Sequence, residues 1–80
     1  MRSGGDREPL SPALLRRRIR LTQQDLAVAL GKRVQTISEW ERGVSYPRLT
    51  FSEVKKMMQV YDATIDELAE AFDREDSDDI

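Results

Sequence analysis

The stretch Leu21–Gly43, LTQQDLAVALGKRVQTISEWERG, decides how this chain folds. Thr22 stands ahead of Gln23 and Gln24 with Asp25 three residues on, an N-cap followed by a capping-box-like partner for the free amides of a helix start. Leu26, Ala27 and Leu30 then recur at helical spacing, so one stripe faces a core and the glutamine side faces out. Gly31 ends this helix, since glycine enters the left-handed region past a helix C-terminus without a Cβ penalty. A second helix is expected from about Val34 to Arg42, with Ile37, Trp40 and Glu41 inward and residues 33, 34, 35, 38 and 39 outward. The small Ala27 is where the two helices can approach closely.

Three more helices follow from start signals on either side. Ser11-Pro12 combines an N-cap with proline at the first helical position, and the helix it opens runs to about Arg20, burying Leu15 and Ile19 and displaying a row of arginines. Pro47 prevents helical continuation in the loop from Gly43 to Leu49 and biases Tyr46 to extended geometry. Thr50 and Glu53 form a capping box for a fourth helix with Phe51, Val54, Met57, Met58 and Tyr61 on one side. Thr64 and Glu67 form another for a fifth, with Ile65, Leu68, Ala69 and Phe72 at i, i+3, i+4 and i+7. No strand signal competes, so the fold class is all-α with five helices. Residues 1–9 are polar, carry Gly4-Gly5 and lack periodicity, and are expected to be disordered; residues 10–72 form one domain; residues 73–80, DREDSDDI, form an acidic, disordered tail.

Composition narrows the function classes. With 80 residues there is room for one small domain and a modest core. Without cysteine there are no disulfides, and without histidine the commonest general base and metal ligand is missing. No metal-ligand set, nucleophile–base pair or phosphate-cradling glycine loop is visible, so no enzyme, cofactor or metal site is expected. Nor does any apolar run approach membrane-spanning length, so a cytoplasmic protein without membrane contact is expected. The net charge of -2 is a sum of opposites. Residues 10–61 hold ten Lys/Arg against four acids, whereas residues 62–80 hold nine acids against Arg74 alone. A basic domain with an acidic end differs from a neutral protein, because fields are screened over about 8 Å at physiological salt.

Two short helices across a glycine turn form a helix-turn-helix, the arrangement that lays its second helix in the DNA major groove. Bases are then read by outward residues of that helix, here Arg33, Val34, Gln35, Ser38 and Glu39. Gln35 suits adenine N6 and N7, Arg33 reaches guanine or a phosphate, and Val34 packs on a thymine methyl. Gln23 sits at the amino end of the preceding helix, where free amides and a positive dipole end favour phosphate. Phosphate contacts are expected from Gln24, Lys32, Thr36, Arg42, Gly43, Tyr46 and Arg48, with Lys55 or Lys56 extending the footprint and Arg48 alternatively capping a helix.

TQQDLA, a glycine three residues before Val34, TISEWERG and the following YPRL together resemble the Cro/cI-type helix-turn-helix domains of bacteria and phages, over roughly Leu14 to Phe72. The resemblance implies a compact five-helix lambda-repressor-like domain that binds operator DNA, often as a homodimer on an inverted repeat. It also implies that Gln23 anchors the DNA backbone and neighbouring bases, that Trp40 is a core residue rather than a stacking platform, and that Arg16 and Glu41 form a partly buried ion pair joining helices one and three. Three positions depart from the pattern: Lys32 replaces a small apolar turn residue, Arg33 a Ser or Thr cap, and Glu39 a neutral or basic residue facing DNA. They bear on how bases are read rather than on the fold. A DNA-binding regulator, either a repressor or an antitoxin-like autoregulator, is the reading favoured by the basic first helix, Gln23 and Gln35. A protein-binding adaptor using the fifth helix or the acidic tail remains the alternative, favoured by Glu39 and the acidic end.

Overall fold

Ser11 opens the first helix, α1 (Pro12–Arg18), by accepting the Leu14 amide on its hydroxyl at 3.1 Å, with Pro12 placed where no amide is needed. A computed structural model describes residues 9–73. The expected disorder of residues 1–8 and most of the acidic tail, residues 74–80, lie outside the described residues. After α1 come α2 (Gln23–Leu30), α3 (Val34–Arg42), α4 (Phe51–Tyr61) and α5 (Ile65–Phe72), with no strand among the described residues. The all-α, five-helix expectation is met, with the helix-turn-helix at α2 and α3.

Local sequence accounts for nearly every boundary. Thr22, Thr50 and Thr64 each accept the amide of the acidic residue three positions on, and Asp25, Glu53 and Glu67 each return a carboxylate to the threonine amide. These contacts hold all three carboxyls below the usual range. For Asp25 the main cause is the Thr22 amide, for Glu53 the Thr50 amide with Lys32 second, and for Glu67 Arg18 with the Thr64 amide second. Gly31 and Gly43 end α2 and α3 at φ 69° and 74°, conformations that penalise any side chain even though neither would meet a neighbour. The amide after each glycine closes the turn, Lys32 donating to the Ala27 carbonyl and Val44 to the Glu39 carbonyl, both at 2.9 Å.

The first helix ends at Arg18, earlier than the expected Arg20. Arg20 adopts φ 62°, which reverses the chain so that Thr22 can begin α2. The Arg16 guanidinium braces this corner by donating to the Leu21 carbonyl at 2.9 Å.

Leu10, Leu15, Leu26, Ala27, Ile37, Trp40, Met57, Tyr61, Ala63, Leu68, Ala71 and Phe72 form a single core. Phe72 lies edge-on to both Trp40 and Tyr61, each ring centroid 6.0 Å away, the T-shaped geometry favoured by ring quadrupoles. The Tyr61 hydroxyl is buried with no hydrogen-bond partner among the described residues, and burial raises its pKa well above the ordinary phenol value by disfavouring the phenolate.

Two apolar faces differ from the sequence expectation. Phe51 is 96% exposed instead of joining Val54, Met57, Met58 and Tyr61. As the first residue of α4 its side chain leans back past the helix end, and Leu49 packs against the core there instead. On α5 the buried residues are Leu68, Ala71 and Phe72, while Ile65 and Ala69 are exposed. Small Ala71 lets α5 close against α1, and the Phe72 ring is drawn between Trp40 and Tyr61, which rotates the helix away from the expected stripe.

Candidate nucleic-acid interface

The two sides of α3 have different chemistry. Ile37 and Trp40 are buried, and the Glu41 side chain beside them is only 7% exposed. On the opposite side the helical period gathers Gln35, Ser38, Glu39 and Arg42, with Val34 at the edge. Arg33, Val34, Gln35 and Arg42 are exposed, whereas Thr36, Ser38 and Glu39 are half-buried. Contacts one turn apart link this face: Gln35 Nε2 donates to Glu39 Oε2 at 3.4 Å, and Arg42 Nε to Ser38 Oγ at 3.3 Å. The outward residues expected from sequence thus share one surface, with Glu39 taking part in it through Gln35.

At its amino end α3 is less satisfied than its neighbours. Arg33 occupies the N-cap in an extended conformation and supplies no side-chain acceptor, unlike Ser11, Thr22, Thr50 and Thr64. The first amides of α3 are therefore left for solvent or an anion.

Arg16, Glu41 and Gln23 bind three helices together. Arg16 donates through Nε to Glu41 Oε2 at 2.6 Å and through Nη2 to Glu41 Oε1 at 3.1 Å. Gln23 Nε2 donates to the same Oε1 at 2.8 Å. The Glu41 hydrogen bonds raise the pKa of Arg16 above its ordinary value against the opposing effect of burial. Gln23 is half-buried by this contact, while its neighbour Gln24 is exposed.

The remaining cations divide into two groups. Arg18 pairs with Glu67 at 3.0 Å and also donates to the Asp62 carbonyl, tying α1 to the start of α5. Lys32 pairs with Glu53 at 3.3 Å, bracing the turn of the helix-turn-helix against α4. So α1 does not simply display its arginines: Arg16 and Arg18 are engaged inside the protein, leaving Arg17 and Arg20 outward. Arg33, Arg42, Arg48, Lys55 and Lys56 are exposed and have no acidic partner among the described residues. Gly43 and Tyr46 are also exposed in the segment after α3, and both border a small cleft of about 80 Å³ with Trp40, Arg42 and Phe72.

Sequence reasoning missed the Gln23–Glu41, Arg18–Glu67 and Lys32–Glu53 contacts. Each joins residues 18 to 49 positions apart, on elements whose relative placement no local pattern encodes. Away from α3, a shallow apolar groove of about 200 Å³ runs between α4 and α5, lined by Leu49, Val54, Met57, Ile65, Ala69 and Phe72 among others. Among the described residues no cluster of acidic side chains could hold a metal ion, and no helix is long and apolar enough to cross a membrane.

Comparison with known proteins agrees with this architecture. A family model described as Helix-turn-helix matches residues 13–68, from the first turn of α1 into α5. No curated protein and no solved structure matches the chain.

Proposed function

The chain belongs to this helix-turn-helix family, of the Cro/cI type, and is in that general sense a DNA-binding regulator of transcription; from that premise we propose that it reads a specific sequence in double-stranded DNA with α3 in the major groove. The observation carrying this reading is the outward face of α3, where Gln35, Ser38, Glu39 and Arg42 adjoin an amino end without a side-chain cap. Val34 and Gln35 reach base edges first, and Arg33 contacts a guanine or a phosphate. Gln23, Gln24, Thr36, Arg42, Gly43, Tyr46 and Arg48 hold the DNA backbone and fix the register. Lys32 is engaged with Glu53 and contacts a phosphate only by giving up that pair.

A single small module covers only about 600 to 1,000 Å² of DNA-facing surface, so the proposal includes a homodimer on an inverted repeat. Its role is that of a repressor or antitoxin-like autoregulator inside a bacterial or phage-infected cell. Selection of duplexes from random DNA by the purified protein tests this, with Gln23→Ala/Gln35→Ala as control and the enriched pool retested across salt. A shared palindromic motif, lost in the control and weakened steeply by salt, is expected. Recovery of no motif refutes sequence-specific reading.

One observation favours a second reading. The α4–α5 groove, with Ile65 53% exposed at its edge, offers an apolar surface suited to a protein partner. An adaptor of this kind would bind its partner through the groove whether or not DNA is present. Ile65→Asp would then abolish partner capture and leave DNA binding intact.

A further inference from the structure

The geometry points to Glu41 as a positioning residue that sets the orientation of the Gln23 side chain before DNA arrives, an inference that rests on the DNA-binding reading above. An ionised carboxylate only accepts hydrogen bonds, so only the amino group of the Gln23 amide can face it. The contact at 2.8 Å therefore settles which end of the amide points inward. Its carbonyl oxygen and second N–H make no other hydrogen bond among the described residues, which leaves free the pair of groups that can engage an adenine edge or, through the N–H, a phosphate.

Glu41 is itself a fixed reference. Its side chain is 7% exposed and takes two hydrogen bonds from Arg16, whose third contact holds the Leu21 carbonyl one residue before the Thr22 cap. A chain of contacts thus runs from α1 through the inner edge of α3 to the first residue of α2. A free glutamine side chain must be immobilised when it binds DNA, and that entropic cost weakens the contact. Gln23 meets the cost during folding. Gln24, its exposed neighbour, has no side-chain hydrogen bond among the described residues and serves as an internal control.

Two measurements on the full chain test the assignment. In the first, 15N relaxation of the side-chain amides in the wild-type protein compares Gln23 with Gln24. The expected result is a restricted Gln23 and a mobile Gln24; equal mobility overturns the proposal while leaving DNA binding untouched. In the second, affinity for the duplex enriched by selection is measured across the cycle of Gln23→Ala and Glu41→Gln, at a temperature where circular dichroism shows every variant folded. Gln23→Ala should weaken binding about tenfold, which corresponds to about 1.4 kcal/mol. Glu41→Gln should weaken it several-fold in the wild-type background and not at all in the Gln23→Ala background, since its effect passes through Gln23. Losses that multiply across the cycle assign Glu41 a structural role only and overturn the proposal. If Gln23→Ala binds as wild type, or no duplex is bound, the DNA-contact reading of Gln23 fails and the positioning role with it, a result the relaxation data keep distinct from a mobile Gln23.

Discussion

Replacing Arg16 with alanine strips a nearly buried carboxylate of its counter-charge. The guanidinium makes two hydrogen bonds to Glu41, at 2.6 and 3.1 Å, and one to the Leu21 carbonyl at 2.9 Å. With Arg16 gone, the Gln23 amide alone remains on Glu41, and a neutral donor does not replace a positive charge. Removing one partner of a buried ion pair costs about 3 to 5 kcal/mol. The Arg16 side chain retains 15% exposure, which places the expected loss toward the lower end. A chain of this length holds roughly 4 to 12 kcal/mol in total at about 0.05 to 0.15 kcal/mol per residue, so a quarter or more of the stability should disappear. Urea unfolding at pH 7 followed by circular dichroism reads this as a lower midpoint at unchanged slope. Arg16→Met/Glu41→Leu provides the contrast: with both charges removed the loss should be smaller than for Arg16→Ala, because no uncompensated charge stays behind. A loss below about 1 kcal/mol for Arg16→Ala, the value of an exposed pair, would show that water reaches Glu41 and refute the argument.

Three further outcomes follow from the same contacts. Tyr61→Phe removes a buried hydroxyl that has no partner, so the urea midpoint should hold or rise by the equivalent of about 1 kcal/mol; a clear fall would reveal a hydrogen bond to that hydroxyl. Phe51→Ser should change stability by no more than about 0.5 kcal/mol, since the ring is 96% exposed, whereas Leu15→Ala in the core should cost about 2 to 5 kcal/mol. Asp25, Glu53 and Glu67 all have lowered folded-state pKa values, so their contribution is fully present above the ordinary carboxylate range and is lost as pH falls through the folded values. Urea midpoints should be level from about pH 6 to 7 and decline below about pH 4, and Asp25→Asn/Glu53→Gln/Glu67→Gln should flatten that decline.

The helix boundaries were legible because they depend on neighbours in sequence. Three threonine capping boxes, the Ser11-Pro12 start and the glycines at 31 and 43 act through bonds spanning three to five residues. The Arg20 corner was not legible: an arginine at φ 62° carries no propensity signal, and its conformation follows from the placement of Leu21 by Arg16. The stripe on α5 was misjudged by one register because Ile65 and Ala69 are apolar enough to fit the period. What decides their exposure is the aromatic contact of Phe72 with Trp40 and Tyr61, groups from distant parts of the chain. At the candidate interface, the residues to consider on α3 followed from helical period alone. Their partners did not, since Glu41 meets Gln23 only once α2 and α3 have packed.

Tertiary pairing also changes how the charge pattern should be read. By count, the basic part of the chain runs from α1 to α4, and α1 holds the densest run of arginines. In the folded protein Arg16 is turned toward Glu41, and Arg18 is matched by Glu67 from the acidic end, while Lys32 is matched by Glu53. Within a Debye length of about 8 Å each pair is close to neutral to an approaching polyanion. Arg33 and Arg42 stand at the two ends of α3, and Arg48 lies in the segment that follows, without such neutralisation among the described residues. Pairing thus trims the arginine-rich first helix to the outward Arg17 and Arg20, so that under the proposed reading the cations around α3 share the attraction of DNA with it rather than being outweighed by it. The acidic region does part of this work, because Glu67 takes up a cation on α1 that would otherwise attract phosphate away from α3.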